Sequence, residues 1–152
     1  MLRVCSKKVV FVGVPGAFTP TCHLKHLPSY VDDAAKFQEA GVEVVFVSGM
    51  RAPLAFRFAT AHHAKYTVND AFVMKAWSES TGADKAGITV VADPQAELAK
   101  ALKTDFDLAA LGGVRSKRFA AFVDDGIIKY MVVDPGDDSS FAPAMLKVIA
   151  EQ

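Results

Sequence analysis

Short apolar runs alternate with longer amphipathic segments along this chain. Residues 9–12 and 44–47 both read Val-Val-Phe-Val. Unbroken runs of β-branched and aromatic residues are typical of parallel strands buried on both faces. Between the two runs, apolar side chains recur at the three- and four-residue spacing of one helix face: Leu24, Leu27, Val31 and Ala34. The pattern therefore predicts a strand, a helix from about Pro20 to Ala40 and a second strand.

The same reasoning predicts the remaining elements. In order they are strand 7–14, helix 20–40 with a kink at Pro28 and an end at Gly41, strand 42–48, helix 69–80, strand 87–91, helix 95–103, a hairpin of 119–123 and 127–133 around Asp124-Asp125-Gly126, and helix 143–151. Strands alternating with helices, followed by a hairpin and a helix, indicate an α/β protein with thioredoxin-like order. We expect a central mixed sheet flanked by helices.

Residues 49–67 interrupt this alternation. They carry Arg51, Arg57 and Lys65 and no acidic residue. We expect a surface insertion, either a helix over about 53–63 or an irregular excursion. A partner-binding or membrane-touching element and a peculiarity of the gene model or of splicing are the alternatives. The 152 residues suit a single domain over 1–152 that includes this insertion.

Charge and cysteine content narrow the class of protein. The 17 basic and 17 acidic residues cancel, which gives no electrostatic reason to expect nucleic acid or an anionic membrane as partner. Two cysteines form no disulfide framework, so a reducing compartment is predicted: the cytoplasm, with an organelle as the alternative. The basic start before 9–14 superficially resembles a signal peptide, but its apolar run of about six residues is better explained as the first strand. No run approaches the ~20 apolar residues of a membrane span.

Cys22 is the candidate nucleophile. Thr19 is predicted to cap the helix and Pro20 to occupy its first position, which puts Cys22 third. Its sulfur would then lie near unpaired backbone N–H groups and the positive end of the helix dipole. That environment favours the reactive thiolate. A buried structural cysteine is the alternative.

The residues around Cys22 carry a family resemblance. Pro15-x-x-x-Thr19-x-x-Cys22 resembles the peroxidatic motif of peroxiredoxins, and the run 13–28 is similar to the peroxiredoxin-5 subfamily (type II, atypical). Further matches follow in order at 68–73 with Trp77, 92–94, 115–119 and 125–127. The resemblance covers nearly all of the chain outside 49–67. It implies a thioredoxin-like fold and a thiol-dependent peroxidase acting on hydrogen peroxide and small organic hydroperoxides.

The resemblance also implies roles for individual residues. Cys22 would attack the peroxide bond and become a sulfenic acid. The Thr19 hydroxyl would hydrogen-bond the thiolate or the peroxide, and Arg118, at the family's arginine position, would stabilise the thiolate and the leaving oxygen. Pro15 would shield the thiolate by packing, and His26 would tune or pack the pocket. The alternative for Arg118 is that it is one basic residue of a solvated strand end; this explanation suits Arg115 and Lys117 better.

Cys5 does not match either resolving-cysteine pattern of the family, and the loop 137–141 contains no cysteine. An extended strand of about eight residues spans ~26 Å, whereas a disulfide needs Cα atoms within ~7 Å. We therefore predict a free Cys5 and a one-cysteine mechanism that uses glutaredoxin, thioredoxin or a small thiol. The resemblance implies a homodimer.

Other classes fit less well. A disulfide reductase needs Cys-x-x-Cys, and a cysteine phosphatase needs an arginine six residues after the cysteine, where this chain has Pro28. Cys22-His23-x-x-His26 lacks a second ligand pair for zinc. No metal, haem or flavin is implied. A catalytically impaired interaction or redox-sensing protein of the same fold remains the alternative function.

Overall fold

The computed structural model describes residues 8–48, 71–93, 96–111 and 113–152. Its strands are β1 (Lys8–Gly13), β2 (Val42–Ser48), β3 (Thr89–Ala92), β4 (Asp105–Leu108), β5 (Gly113–Ser116), β6 (Phe119–Asp124) and β7 (Ile127–Val133). Its helices are α1 (Leu27–Asp32), α2 (Ala34–Glu39), α3 (Ala71–Thr81), α4 (Glu97–Ala101) and α5 (Ala142–Ala150), with a π-helix at Cys22–His26 and a 3-10 helix at Ala109–Leu111. Within these ranges every helix falls short of the length and apolarity needed to traverse a bilayer. The predicted insertion 49–67 and Cys5 lie outside the described residues.

Five strands form the central sheet in the order β3-β2-β1-β6-β7. β1 pairs in parallel with β2, and β2 in parallel with β3. On its other side β1 pairs antiparallel with β6, which forms the predicted hairpin with β7. The turn residues Asp125 and Gly126 both have positive φ, at +50° and +78°, as a two-residue hairpin turn requires. The predicted α/β class with a mixed sheet is confirmed.

The sheet has an apolar core on each face. Alternate side chains of β1 divide between the two cores, because successive residues of a strand point to opposite faces. Val10 and Val12 join the larger core, which includes Leu27 and Trp77 from the helices. The smaller core contains Val9 and Phe11, with residues 98 and 102, on or next to α4, packed against it.

The prediction of one continuous helix over 20–40 is wrong, because the structure divides this segment. After Pro20 and Thr21 the helix widens into a π-helix, in which Leu27 donates its backbone N–H to the carbonyl of Cys22, five residues back. Pro28 explains why the turn widens, since proline has no N–H and its ring would clash with the carbonyl four residues earlier in an α-helix. A second break falls at Asp33, where φ and ψ are −98° and 9°. The distortion thus begins before Pro28 and divides the segment into three.

Two further differences concern weakly patterned segments. The strand predicted at 87–91 begins at Thr89, because Gly87 has a φ of +74° that belongs to a turn. The two-stranded sheet of β4 and β5 was not predicted. Each of its strands has four residues and at most one fully buried side chain, so neither leaves a clear apolar pattern.

Gly13 is required at the end of β1 because its neighbour fills the space of a side chain. It is paired with Phe119, and a Cβ on Gly13 would lie 2.0 Å from Phe119 Cε1. We expect Gly13→Ala to destabilise the protein by roughly 1–3 kcal/mol through overpacking, measured by urea unfolding. The same substitution in a Phe119→Leu background should have a smaller effect. Equal losses in both backgrounds would contradict the steric explanation.

Candidate active site

Cys22 lies at the helix start that the sequence predicted. The chain leaves β1, crosses a short loop, and becomes helical at Pro20, so that Cys22 is the third helical residue and the first of the π-helix. Its side chain is 1% exposed and belongs to the larger core. π-turns within helices occur frequently at functional sites. This one widens the backbone at the residue whose sulfur is the candidate nucleophile.

Thr19 begins the helix through its backbone but not through its side chain. Its carbonyl accepts the first helical bond from the His23 N–H at 2.8 Å. Its hydroxyl donates to the carbonyl of Gly16 at 2.9 Å. The predicted side-chain cap is therefore replaced by a bond that closes the loop. Because the hydroxyl proton is used there, the oxygen keeps its lone pairs for accepting a hydrogen bond.

Three rings fix the loop that approaches Cys22. Phe18 has a φ of +58°, an uncommon conformation for a residue with a side chain. Its ring stacks on His23 with centroids 5.4 Å apart. The indole N–H of Trp77 donates to His23 Nδ1 at 3.1 Å. Trp77 is fully buried in α3, so the ring of His23 links the loop to the core.

Arg118 is the charged group that reaches the sulfur. It directly precedes β6, and the packing of Phe119 against Gly13 brings the start of β6 to the end of β1, where the loop toward Cys22 begins. Arg118 Nη2 lies 3.5 Å from Cys22 Sγ. Arg118 Nη1 lies 2.7 Å from His26 Nδ1. The structure therefore brings Cys22, Arg118 and His26 together across 96 positions of sequence.

The contact with Arg118 determines the protonation of His26. Arginine has N–H donors and no acceptor, so His26 Nδ1 must accept. A neutral ring with an unprotonated Nδ1 carries its proton on Nε2, which faces the carbonyl of Ser140 at 3.1 Å and its hydroxyl at 3.2 Å. His26 is completely buried, with the rings of Tyr30 and Phe141 against it.

Electrostatics agree with this neutral form. The pKa of His26 is lowered from 6.5 to about 4, mainly because the ring is buried. The positive charge of Arg118 lowers this pKa further, whereas the Ser140 hydrogen bond and the negative charge of Asp134 act to raise it. At neutral pH the ring is therefore an uncharged acceptor for Arg118. The sequence suggested only that His26 tunes or packs the pocket, and it gave no sign of Ser140.

Other predicted residues have simpler positions. Pro15 is half-buried in the loop between β1 and the helix. Lys117 is exposed, as expected for a solvated strand end, whereas Arg115 is half-buried and donates to the carbonyl of Leu111. Among the described residues, no three His, Cys, Asp or Glu side chains converge as they would around a metal ion.

Comparison with known proteins places this geometry in a family. The model of the Redoxin family matches residues 4–146. The chain belongs to the Redoxin family. It is 38% identical over 148 residues to the chloroplastic peroxiredoxin-2E-2 of Oryza sativa, covering 94% of this chain and 58% of the rice protein. The chain thus spans little more than half the length of that relative.

Solved structures agree in both sequence and fold. Reduced Prx3 of Vibrio vulnificus in complex with hydrogen peroxide is 37% identical, with a TM-score of 0.78 over 95% of this chain and 78% of that one. Peroxiredoxin 5 of Alvinella pompejana is 29% identical, with a TM-score of 0.75 over 96% and 80%. The predicted peroxiredoxin family, of the peroxiredoxin-5 type, is confirmed.

The buried His26 of this peroxiredoxin makes stability depend on pH. The unfolded chain binds a proton near pH 6.5 and the folded chain only near 4, so protonation favours unfolding. The stabilisation is complete above pH 6.5 and is lost as the pH falls from 6.5 to about 4, by roughly 3 kcal/mol. Urea unfolding across this range measures it. His26→Gln, which does not titrate, should lack this part of the slope; equal slopes would refute the assignment.

Proposed function

We propose that this peroxiredoxin reduces hydrogen peroxide and small organic hydroperoxides at Cys22 and is regenerated by an external thiol. The observation that supports this most directly is the 3.5 Å approach of Arg118 Nη2 to the buried Cys22 Sγ at the start of a helix. A permanent positive charge beside a sulfur favours thiolate, which is the form that attacks a peroxide.

The first half-reaction oxidises Cys22. The thiolate attacks one oxygen of the peroxide, an S–O bond forms and the O–O bond breaks. Sulfur is oxidised to the sulfenic acid level, and the other oxygen leaves with the electron pair and takes up a proton. The products are Cys22 sulfenic acid and water from hydrogen peroxide, or an alcohol from an organic hydroperoxide.

Arg118 supports this step in two ways. Its charge stabilises the thiolate before attack, and it offers N–H donors to the oxygen that becomes negative as the O–O bond breaks. The geometry supports such a role, because Nη1 is held by His26 while Nη2 faces the sulfur. A guanidinium fixed at one end keeps its planar group of donors in one orientation.

Thr19 and Pro15 complete the proposed site. The hydroxyl of Thr19 donates to Gly16, so its oxygen is suited to accept the O–H of a hydroperoxide rather than to donate to the thiolate. This revises the sequence-based role, which left both possibilities open. Pro15, which has no backbone N–H, would shield the thiolate from water without taking part in the chemistry.

The second half-reaction requires an external reductant. A first thiol condenses with the sulfenic acid, which releases water and forms a mixed disulfide with Cys22. A second thiol then attacks this disulfide, restores the Cys22 thiol and leaves the reductant oxidised. Glutaredoxin, thioredoxin or a small thiol would serve. We expect the enzyme to act in a reducing compartment, the cytoplasm or an organelle; the rice relative is named chloroplastic.

We also propose a homodimer that forms beside the site. Phe18 and Leu24, on either side of Cys22 in sequence, are 50% and 70% exposed. Burial of such exposed apolar side chains against a second subunit would remove them from water. Sedimentation of the reduced protein measures the assembly state directly.

Replacement of Cys22 tests the proposed function. Cys22→Ser should reduce hydrogen peroxide consumption with dithiothreitol to below a few per cent of wild type, because a serine hydroxyl is not ionised at neutral pH. Cys5→Ser is the matched control and should retain nearly full turnover. Substantial activity in Cys22→Ser would exclude Cys22 as the nucleophile. Inactivity of the wild-type chain would favour the alternative of a redox-sensing or interaction protein.

The one-cysteine mechanism has its own test. After one equivalent of peroxide, the wild-type protein should carry a Cys22 sulfenic acid, or a mixed disulfide when a thiol is added, and should migrate as a monomer on a non-reducing gel. A disulfide-linked dimer band that disappears in Cys5→Ser would show that Cys5 of one subunit resolves Cys22 of another.

A further inference from the structure

A line of hydrogen bonds extends from the sulfur to a carboxylate that the proposed chemistry does not use. Arg118 contacts His26 at 2.7 Å, and His26 Nε2 contacts Ser140 at 3.1 and 3.2 Å. The Ser140 hydroxyl donates to Asp134 Oδ2 at 2.7 Å. Ser140 and Asp134 both lie in the segment between β7 and α5, which is far from Cys22 in sequence.

Every bond in this line has a fixed direction. Arg118 can only donate, so His26 accepts on Nδ1 and donates from Nε2. Ser140 then accepts from His26 through its carbonyl and hydroxyl oxygens, and its hydroxyl proton is directed at the carboxylate, which can only accept while ionised. Bonds that all run one way polarise one another. The order is Arg118 to His26 to Ser140 to Asp134.

The far end of the line is held in place independently. Asp134 Oδ1 accepts the backbone N–H groups of Gly136 and Asp137 at 2.7 and 3.1 Å, and Oδ2 also accepts the N–H of Ser140 at 3.3 Å. Burial acts to raise the pKa of Asp134, but these bonds and that of the Ser140 hydroxyl outweigh burial and hold it below 3.8. The carboxylate is thus ionised at neutral pH.

The carbonyl of Ser140 is fixed as well. The hydroxyl of Tyr30, itself fully buried, donates to it at 2.7 Å. Ser140 is completely buried and directly precedes Phe141, whose ring packs on His26 with centroids 4.5 Å apart. The ring of His26 therefore has little freedom to turn, and its Nδ1 stays directed at Arg118.

We propose that Ser140 and Asp134 are positioning residues for the peroxidatic site: they hold His26 in the Nε2–H tautomer, and His26 in turn holds Arg118 against Cys22. This inference rests on the proposed function for its catalytic consequence, but its structural content, the tautomer and the orientation of the guanidinium, does not. Neither residue touches the sulfur, and both act through His26 and Arg118.

Two variants break the line. Asp134→Asn keeps one oxygen for the turn at Gly136 and Asp137 but replaces the oxygen that accepts both the hydroxyl and the backbone N–H of Ser140 with an N–H donor. Ser140→Ala removes the hydroxyl and keeps the carbonyl. Matched controls lie in the same loop. Asp137→Asn removes an equal charge from an exposed side chain, and Ser139→Ala removes a hydroxyl that has no hydrogen-bond partner among the described residues.

The principal measurement is the rate of Cys22 alkylation by iodoacetamide in the reduced protein across a pH series, in a Cys5→Ser background. Asp134→Asn and Ser140→Ala should each lower the rate at neutral pH by about 3- to 10-fold, the effect expected from loss of one hydrogen bond in the line, and move the profile to higher pH. The two controls should match the parent. Circular dichroism verifies that each variant is folded.

A double-mutant cycle separates positioning from a general effect on the fold. In an Arg118→Ala background, Ser140→Ala should have no further effect on alkylation, because the group that it positions is absent. Equal losses with and without Arg118, or variants that match their controls, would overturn the proposal. If both variants fail to fold, the ring ¹⁵N spectrum of Arg118→Ala decides: with the arginine removed, a proton that stays on His26 Nε2 supports the proposal that Ser140 and Asp134 hold this tautomer, and a proton on Nδ1 overturns it.

Failure of the proposed function is distinguishable from failure of this inference. Alkylation and the ring spectrum need no peroxide, so they test the positioning even in a chain that turns over no substrate. In an active enzyme, the rate constant for peroxide reduction should fall in parallel with alkylation in Asp134→Asn and Ser140→Ala.

Discussion

The guanidinium of Arg118 makes the contact on which the rest of the site depends. A planar cation with donors on both sides lies between a buried sulfur and a buried imidazole. Because it cannot accept a hydrogen bond, it excludes a protonated His26 and fixes which ring nitrogen carries the proton. That choice in turn fixes what Ser140 must supply. Because Arg118 needs an acceptor, it fixes the hydrogen bonds of His26, Ser140 and Asp134, the last two of which lie in the loop before α5.

The fold supplies this contact by joining strand ends. β1 lies at the centre of the sheet, with β2 on one side and β6 on the other. The loop to Cys22 follows the end of β1, and Arg118 precedes the start of its antiparallel neighbour β6, so the two meet at one edge. Gly13 permits this, since a side chain there would occupy the space of the Phe119 ring. The absence of a side chain at Gly13 therefore allows the start of β6, next to Arg118, to lie close to the loop that leads to Cys22.

The site combines a rigid frame with one uncommon backbone conformation. His26, Tyr30 and Trp77 are fully buried, and they contact the Arg118 guanidinium, the Ser140 carbonyl and the His23 ring respectively. Phe18, with its positive φ, is the exposed member of the stack. Such a conformation persists only where surrounding contacts over-determine it. Here the ring of His23, held by Trp77, provides that support.

The sequence determined the features that depend on near neighbours. Apolar runs located β1 and β2, because burial on two faces leaves no polar position in a strand. The turn residues Asp124-Asp125-Gly126 located the hairpin. The order Thr19-Pro20-x-Cys22 located the helix start, because capping and proline chemistry act within a few residues. The family motif identified Arg118.

Tertiary structure decided the features that are set by contacts between distant residues. These are the approach of Arg118 to Cys22, the protonation of His26, and the participation of Ser140 and Asp134. The π-turn ahead of Pro28 and the donation of the Thr19 hydroxyl to Gly16 are local, but a regular helix and a side-chain cap were equally compatible with the same residues in sequence. His26 and Ser140 are 114 positions apart and carry no pattern in sequence. Only the folded chain places the ring of His26 between Arg118, which donates to its Nδ1, and Ser140, which faces its Nε2 and is itself held by Asp134.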